Sequence, residues 1–214
     1  MDVRYERRPL AIWRVLVSLR IRAAVLAMLC ALGVCASAAE DRPASAVVEK
    51  LQSTLLDAMK NAERLGTQGR YEKLKPVVAQ VYDFSYIVRA MLGASASQLT
   101  PQQLEKAADT FADSSAQIYA HEFNGYDGER FVVAEEKLEP RGTRVVRTVM
   151  QAPGRGDTHF DYQLRQSDGQ WRIVNTIVEG VSQLALDRSQ AQSALKQAGF
   201  DGLIGWMQGR VPKE

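Results

Sequence analysis

Beyond about residue 44, the first half of the chain repeats apolar residues at helical spacing. Residues 45–65 place apolar side chains three and four positions apart, which predicts an amphipathic helix that ends at Gly66. A second helix is predicted to begin at Pro76, since proline is favoured in a first helical turn, and a third to follow Asp83 as its N-cap. Residues 100–123 begin with Thr-Pro-Gln-Gln, the pattern of a capping box, and predict a long helix.

The pattern then changes to that of β-strands. Four runs rich in β-branched and aromatic residues are RFVVAEEKL (130–138), TRVVRTVMQ (143–151), THFDYQLRQ (158–166) and WRIVNTIVE (171–179). Short segments that contain glycine separate them, which predicts an antiparallel meander. Two helical stretches, about 187–198 and 200–209, follow the last strand. The predicted fold class is α+β: a four-stranded curved antiparallel sheet, packed with helices that precede and follow it.

The last of these strands is apolar on both faces, whereas a strand with one wet face should alternate. The register predicted for its hairpin pairs Gln166 with Trp171, Leu164 with Ile173 and Phe160 with Ile177. One strongly apolar face then comprises Phe160, Tyr162, Leu164, Trp171, Ile173 and Ile177. The preferred register of the preceding strand adds Val146 and Met150 to this face and places Arg147 on the other, whereas a slip of one residue would reverse that assignment. Val174 and Val178 are left on the other face. Either helices cover both faces, or helices and sheet leave a gap that a ligand fills, and periodicity alone does not choose between the two.

The N-terminus has the pattern of an export signal. An uncharged run over residues 23–36 follows Arg20 and Arg22, and the small residues Ser-Ala-Ala come next. The run is shorter than the roughly 20 residues of a membrane-spanning helix. It therefore predicts a cleaved signal peptide over residues 1–39 and an exported domain over residues 40–214, with an uncleaved membrane anchor as the alternative.

Candidate chemistry is sparse in the predicted exported domain. Cys30 and Cys35 both lie in the predicted signal peptide, so the sequence predicts no disulfide and no cysteine-based metal site after cleavage. His121 and His159 are interpreted as surface residues, and no sequence motif of a metalloprotease, a serine hydrolase, a dinucleotide site or a P-loop occurs. Acidic residues slightly outnumber basic ones in residues 40–214, which gives no indication of a nucleic-acid partner.

Four segments in a fixed order are similar to a known family. They are VYDFSYIVRAMLG (81–93), IYAHEFNGYDGERFVV (118–133), WRIVNTIVEGVSQLALDRSQ (171–190) and AGFDGLIGWM (198–207). Together they resemble the MlaC/Ttg2D family of periplasmic lipid-binding proteins, which serve as auxiliary components of ABC transport and shuttle phospholipid between the inner and outer membranes. The segments GVSQLALDRS and TLLDAMKNAERLG look most like the hopanoid-associated HpnM subgroup.

The resemblance implies a periplasmic lipid carrier with an apolar cavity between sheet and helices, and no cofactor other than bound lipid. Its cargo would be phospholipid or hopanoid, and its partners an inner-membrane lipid transporter complex and an outer-membrane lipid donor or acceptor. The expected lining is Val81, Phe84, Met91, Phe111, Tyr119, Val146, Met150, Phe160, Tyr162, Leu164, Trp171, Ile173, Ile177, Val181 and Leu184. The alternatives are a periplasmic adaptor that docks membrane transport components without carrying lipid, and a small curved-sheet enzyme.

Overall fold

A computed structural model of the protein describes residues 43–212. The predicted signal peptide lies outside the described residues. The helices are α1 (Ala44–Lys60), α2 (Ala62–Val81), α3 (Phe84–Leu92), α4 (Pro101–Glu122) and α5 (Gln183–Gly209). The strands are β1 (Arg130–Leu138), β2 (Arg144–Ala152), β3 (Arg155–Ser167), β4 (Gln170–Val178) and β5 (Val181–Ser182). The α+β class is confirmed, with helices both before and after one antiparallel sheet.

Local capping signals define two of the helix starts. The Asp83 carboxylate accepts a hydrogen bond from the Tyr86 backbone N–H at 3.0 Å, which confirms Asp83 as the N-cap of α3. The Thr100 hydroxyl accepts from the Gln103 N–H at 3.2 Å, and the Gln103 side chain accepts from the Thr100 N–H at 2.9 Å. This reciprocal pair is the predicted capping box. Each signal depends on neighbours in sequence, so it can be recognised without tertiary information.

The N-terminus of α1 is capped from a distant strand. Pro43 precedes the helix and has no side chain that can accept a hydrogen bond. The Glu136 carboxylate of β1 takes that role, accepting from the backbone N–H groups of Ala44 at 3.2 Å and Ser45 at 2.9 Å. Burial alone would raise the pKa of Glu136, but these N–H groups and the Arg144 guanidinium hold it below its usual range. A carboxylate at a helix N-terminus also interacts favourably with the helix dipole.

The predicted start of the second helix was wrong. The chain turns at Asn61 and at Gly66, where φ is 60°, and then remains helical to Val81 with Pro76 inside α2. Proline inside a helix leaves the carbonyl four residues earlier without its N–H partner. Pro76 is exposed, so water can reach that carbonyl, while Leu74 and Val78 are fully buried. Packing of the buried face outweighs the local preference of proline for a first turn.

The sheet has five strands rather than the predicted four, in the order β1-β2-β3-β4-β5, and every neighbouring pair is antiparallel. The additional strand, β5, has two residues. It pairs with β4 after a tight turn in which Glu179 has a φ of 49° and Gly180 a φ of 79°. Positive φ at both central positions defines the hairpin turn whose twist matches the sheet. The Glu-Gly turn therefore extends the sheet beyond the last strand that the sequence pattern predicts.

The register of the last hairpin agrees with the prediction only near its turn. Leu164 pairs with Ile173 as predicted, but the pairing then shifts, so that Phe160 lies opposite Val178. Val174 is the extra residue on β4, which makes this irregularity a β-bulge. Because side chains alternate between faces, one extra residue exchanges the faces of everything beyond it. The predicted pairing of Phe160 with Ile177 is therefore wrong, and Ile177 lies opposite Asp161.

The core lies between one face of the sheet and the helices. Its fully buried large side chains include Leu51, Leu55, Leu74, Met91, Leu92, Leu164, Ile173, Leu203 and Met207. Val146 of β2 is also fully buried, whereas Arg147 beside it is exposed, as the predicted orientation of β2 requires. The Gln52 amide also joins α1 to the sheet by a buried hydrogen bond of 2.7 Å to the Thr148 hydroxyl. No helix within residues 43–212 is both long and apolar enough to cross a membrane.

Candidate functional site

A pocket of about 510 Å³ lies between the sheet and the helices. Its apolar and aromatic lining comprises Phe84, Ile87, Phe111, Ile118, Phe123, Phe160, Val174, Val178 and Leu184. Its other lining residues are Tyr82, Ser115, Tyr119, Glu122, Tyr162, Asn175, Thr176, Gln183, Asp187 and Arg210. The volume is within the range of about 300–1,000 Å³ that is usual for small-molecule sites. The pocket thus combines an apolar and aromatic wall with a set of polar and charged groups.

The junction between α2 and α3 is attached to the sheet, and this positions two aromatic walls of the pocket. The Asp83 backbone N–H donates to the Ile173 carbonyl at 3.0 Å, and the Asp83 carboxylate forms an ion pair of 2.9 Å with Arg165. Tyr82 and Phe84 flank this anchor, and their ring centroids are 5.4 Å apart. The residue that caps α3 therefore also holds the aromatic pair against β4.

The bulge in β4 supplies the opposite wall. Val174 is the extra residue, and beyond it Thr176 and Val178 share the face of Phe160 and Tyr162. All five of these side chains line the pocket. Without the extra residue, Thr176 and Val178 would point to the other side of the sheet. The apolar second face of the last strand is thus explained: the bulge turns its far end toward the pocket.

The interior of the pocket contains tyrosine hydroxyls that are hydrogen-bonded to one another. The Tyr82 hydroxyl bonds to the Tyr119 hydroxyl and, at 3.1 Å, to the hydroxyl of Thr176. Burial raises the pKa of Tyr82, of Tyr119 and of Tyr162 above the usual value, so these phenols are neutral at physiological pH. The cluster gives the pocket an uncharged polar floor, in which the hydroxyls of Tyr119 and Thr176 are hydrogen-bonded to that of Tyr82.

Charged side chains occur at one side of the pocket. Arg210 and Asp187 form an ion pair of 3.2 Å, and their side chains are 20% and 17% exposed. The Arg210 guanidinium lies over the Phe111 ring, 4.3 Å from its centroid. Burial raises the pKa of Asp187, with Arg210 opposing that shift, and burial likewise lowers the pKa of Arg210. Glu122 is more exposed, at 63% of its side chain, which places it at the rim.

The structure brings six of the predicted lining residues together in this pocket: Phe84, Phe111, Tyr119, Phe160, Tyr162 and Leu184. Five others lie in the core: Val81, Met91, Val146, Leu164 and Ile173. Met150, Trp171 and Ile177 are partly buried outside the pocket wall, and Val181 is 48% exposed on β5. An apolar pattern identifies a covered face, but it does not tell which part is covered by helices and which part borders a pocket.

Sequence reasoning missed several lining residues. Tyr82 adjoins the predicted N-cap but is absent from the predicted lining. The predicted register places Val174 and Val178 on the opposite face, because the bulge leaves no local sequence signal. Asp187 and Arg210 are 23 residues apart and were not linked at all. Within residues 43–212, no three His, Cys, Asp or Glu side chains converge as a possible metal site.

Comparison with known proteins places this chain in a family. The sequence model of the MlaC protein family matches residues 49–208, and the chain belongs to that family. This is a family of periplasmic lipid-binding transport proteins and not of enzymes. Membership confirms the family resemblance at this level, and the finer assignment to the HpnM subgroup stays a prediction.

The chain is similar to two described proteins. Toluene tolerance protein ttg2D of Pseudomonas putida is 25% identical over 163 residues, which cover 74% of this chain and 75% of that protein. The phospholipid-binding protein of Ralstonia solanacearum, solved in complex with a phospholipid, is 20% identical. The structural match covers 79% of this chain and 97% of that protein, with a TM-score of 0.69. This structural likeness establishes a shared fold.

Proposed function

We propose that this protein is a periplasmic lipid carrier, and that the pocket between sheet and helices holds the acyl chains of its cargo. The observation that carries the proposal is the apolar and aromatic wall of the pocket, contributed by α3, α4, β3, β4 and α5, in a chain of the MlaC family. An apolar wall is suited to acyl chains because removing them from water requires no directional contact. Carriage needs no bond to be broken, so it requires no catalytic group.

The energy available from such a pocket is sufficient for lipid binding. Each buried methylene contributes about 0.8 kcal/mol, so ten of them contribute about 8 kcal/mol before the cost of association. The neutral tyrosine floor adds no charge that would repel hydrocarbon. The fold can therefore retain an amphiphile through its hydrocarbon part alone.

The finer features of the proposal come from the family and the sequence. Phospholipid is the primary cargo proposed, and the likeness of residues 180–189 to HpnM makes a hopanoid the second. Movement of lipid between the membranes would require an inner-membrane transporter complex and an outer-membrane donor or acceptor as partners. Residues 1–39 would be removed on export. Bound lipid would be the ligand of the protein, and no cofactor would be needed.

Lipid extraction tests the proposal directly. The full chain is expressed with its own N-terminus, purified from the periplasm without detergent, and extracted with organic solvent for mass spectrometry. We expect close to one lipid molecule or more per protein, and the extracted species distinguishes phospholipid from hopanoid. An unrelated periplasmic protein purified in parallel is the control for carry-over. Protein without lipid above that control would favour the adaptor or the enzyme and would contradict the carrier.

A further inference from the structure

The charged side of the pocket is built by the two ends of one kinked helix. α5 is interrupted at Ala198 and at Gly199, where φ is 64°, and the chain reverses there. As a result Arg210, just beyond the end of α5, reaches Asp187 near its start, with 3.2 Å between the guanidinium and the carboxylate. A second contact joins the same two segments, from the Trp206 indole N–H to the Gln190 side chain at 3.0 Å. The position of Arg210 is therefore set by tertiary contacts on both sides.

The Arg210 guanidinium uses only part of its hydrogen-bonding capacity within the protein. Nη2 donates to Asp187, and the flat face of the group packs on Phe111 and lies 5.5 Å from the Trp206 ring centroid. Nη1 is buried and has no hydrogen-bond partner among the residues that the structure describes. Leaving a charged donor buried and unsatisfied is costly. Because Arg210 lines the pocket and 20% of its side chain is exposed, a turn of the guanidinium would bring this donor to an acceptor oxygen on the pocket's occupant. Phosphate oxygens suit the planar guanidinium particularly well.

The balance of charge around the pocket indicates what else the occupant should carry. Its lining contains two carboxylates, Asp187 and Glu122, and a single guanidinium, Arg210. A purely anionic head group would meet one positive and two negative groups. Asp187 is already paired with Arg210, which leaves Glu122 as the second carboxylate. A zwitterionic head group would place its phosphate at Arg210 and its ammonium toward Glu122, so both of its charges would be matched.

We infer that Arg210 is a head-group-binding residue, whose Nη1 donates hydrogen bonds to a phosphate oxygen of a zwitterionic phospholipid, with Asp187 positioning the guanidinium. The inference rests on the proposed function, since the acyl chains occupy the apolar wall described above. It adds a chemical class to the cargo: a phosphodiester that also carries an ammonium group. Hydrocarbon burial supplies most of the affinity, and Arg210 supplies preference among lipids with the same chains.

Competition among three lipids with identical acyl chains tests the inference. Lipid-free protein is incubated with mixed vesicles of phosphatidylethanolamine, phosphatidylglycerol and diacylglycerol, and the bound lipids are quantified by mass spectrometry. We expect phosphatidylethanolamine to be preferred over diacylglycerol by about tenfold, as for a charge-assisted hydrogen bond, and also over phosphatidylglycerol. Arg210→Met should bring the preference over diacylglycerol close to one. Inorganic phosphate in excess should not displace the lipid.

Two further variants make the outcome decisive. Arg188→Met is the matched control, because Arg188 is exposed and its guanidinium bonds to the Ala90 carbonyl at 3.0 Å outside the pocket wall. It should keep the wild-type preference. Arg210→Lys retains the charge but loses the planar fork, so it should reduce the preference severalfold in a protein that circular dichroism shows to be folded.

An unchanged preference in folded Arg210→Met or Arg210→Lys would overturn the inference. So would an equal loss in Arg188→Met, or displacement of lipid by inorganic phosphate. The last would mean that Arg210 serves a soluble anion. Failure of this inference is distinguishable from failure of the proposed function. Wild-type protein that binds all three lipids equally contradicts only the role of Arg210, whereas wild-type protein that binds none of them contradicts the lipid carrier.

Discussion

A carboxylate placed in the pocket wall should prevent lipid binding. Leu184 lies in the first turn of α5, is partly buried and lines the pocket. Leu186 is two residues further along the same helix, is 50% exposed and lies outside the pocket wall. Leu184→Glu therefore introduces charge where the acyl chains are proposed to lie, and Leu186→Glu introduces the same charge on the solvent side as a matched control.

The expected effect on binding is large. Placing an ionised carboxylate against hydrocarbon costs several kcal/mol, or raises its pKa until it protonates. A cost of about 3 kcal/mol corresponds to more than a hundredfold loss of affinity, since about 1.4 kcal/mol is a factor of ten. The effect on folding should be smaller, because a partly buried leucine contributes about 1 kcal/mol through burial. That amounts to a fall in Tm of about 2–4 °C for a chain of this size.

The assay is the amount of lipid extracted per protein, together with thermal unfolding followed by circular dichroism. We expect folded Leu184→Glu to contain little lipid and Leu186→Glu to contain the wild-type amount. Val181→Glu should resemble the control, because Val181 is 48% exposed and lies outside the pocket wall. A folded Leu184→Glu with normal lipid content would refute the assignment of this pocket. Equal loss in both leucine variants would show a general effect of charge on α5.

Two other predictions follow from the caps and from the N-terminus. Glu136 has a lowered pKa when folded, so its stabilising effect is present above the unfolded pKa of about 4.3 and is lost as pH falls. Glu136→Gln should therefore lower Tm at pH 7, by about 2–4 °C for each kcal/mol of unfolding free energy that is lost. The difference in Tm between the variant and wild type should shrink below about pH 4, and a difference that stays constant with pH would contradict this role of Glu136. Intact-mass measurement of periplasmic protein should show loss of residues 1–39, and with them Cys30 and Cys35, so Tm should not respond to reductant. A full-length, membrane-bound chain would contradict cleavage.

Short-range signals were sufficient for much of the fold. Asp83 and Thr100 cap helices through residues three positions away, so the sequence alone identified both helix starts. The first pairs of the last hairpin follow from the turn between its strands, and there the predicted register agrees with the structure. The family resemblance also depended on local segments in their order, and the match over residues 49–208 confirms it. In each case the deciding contacts are close in sequence.

The pocket depended on contacts that are distant in sequence. The bulge at Val174 adjoins Ile173, whose carbonyl accepts a hydrogen bond from the backbone N–H of Asp83, far away in the chain. No pattern within β4 reveals the bulge. Pro76 remains inside α2 because the buried face of that helix packs in the core, although the local preference of proline predicts a helix start there. Arg210 meets Asp187 only because α5 reverses at Gly199. Alternation and helical spacing show which faces are apolar, but whether such a face meets a helix or a pocket is decided by the tertiary packing of elements that sequence proximity does not connect.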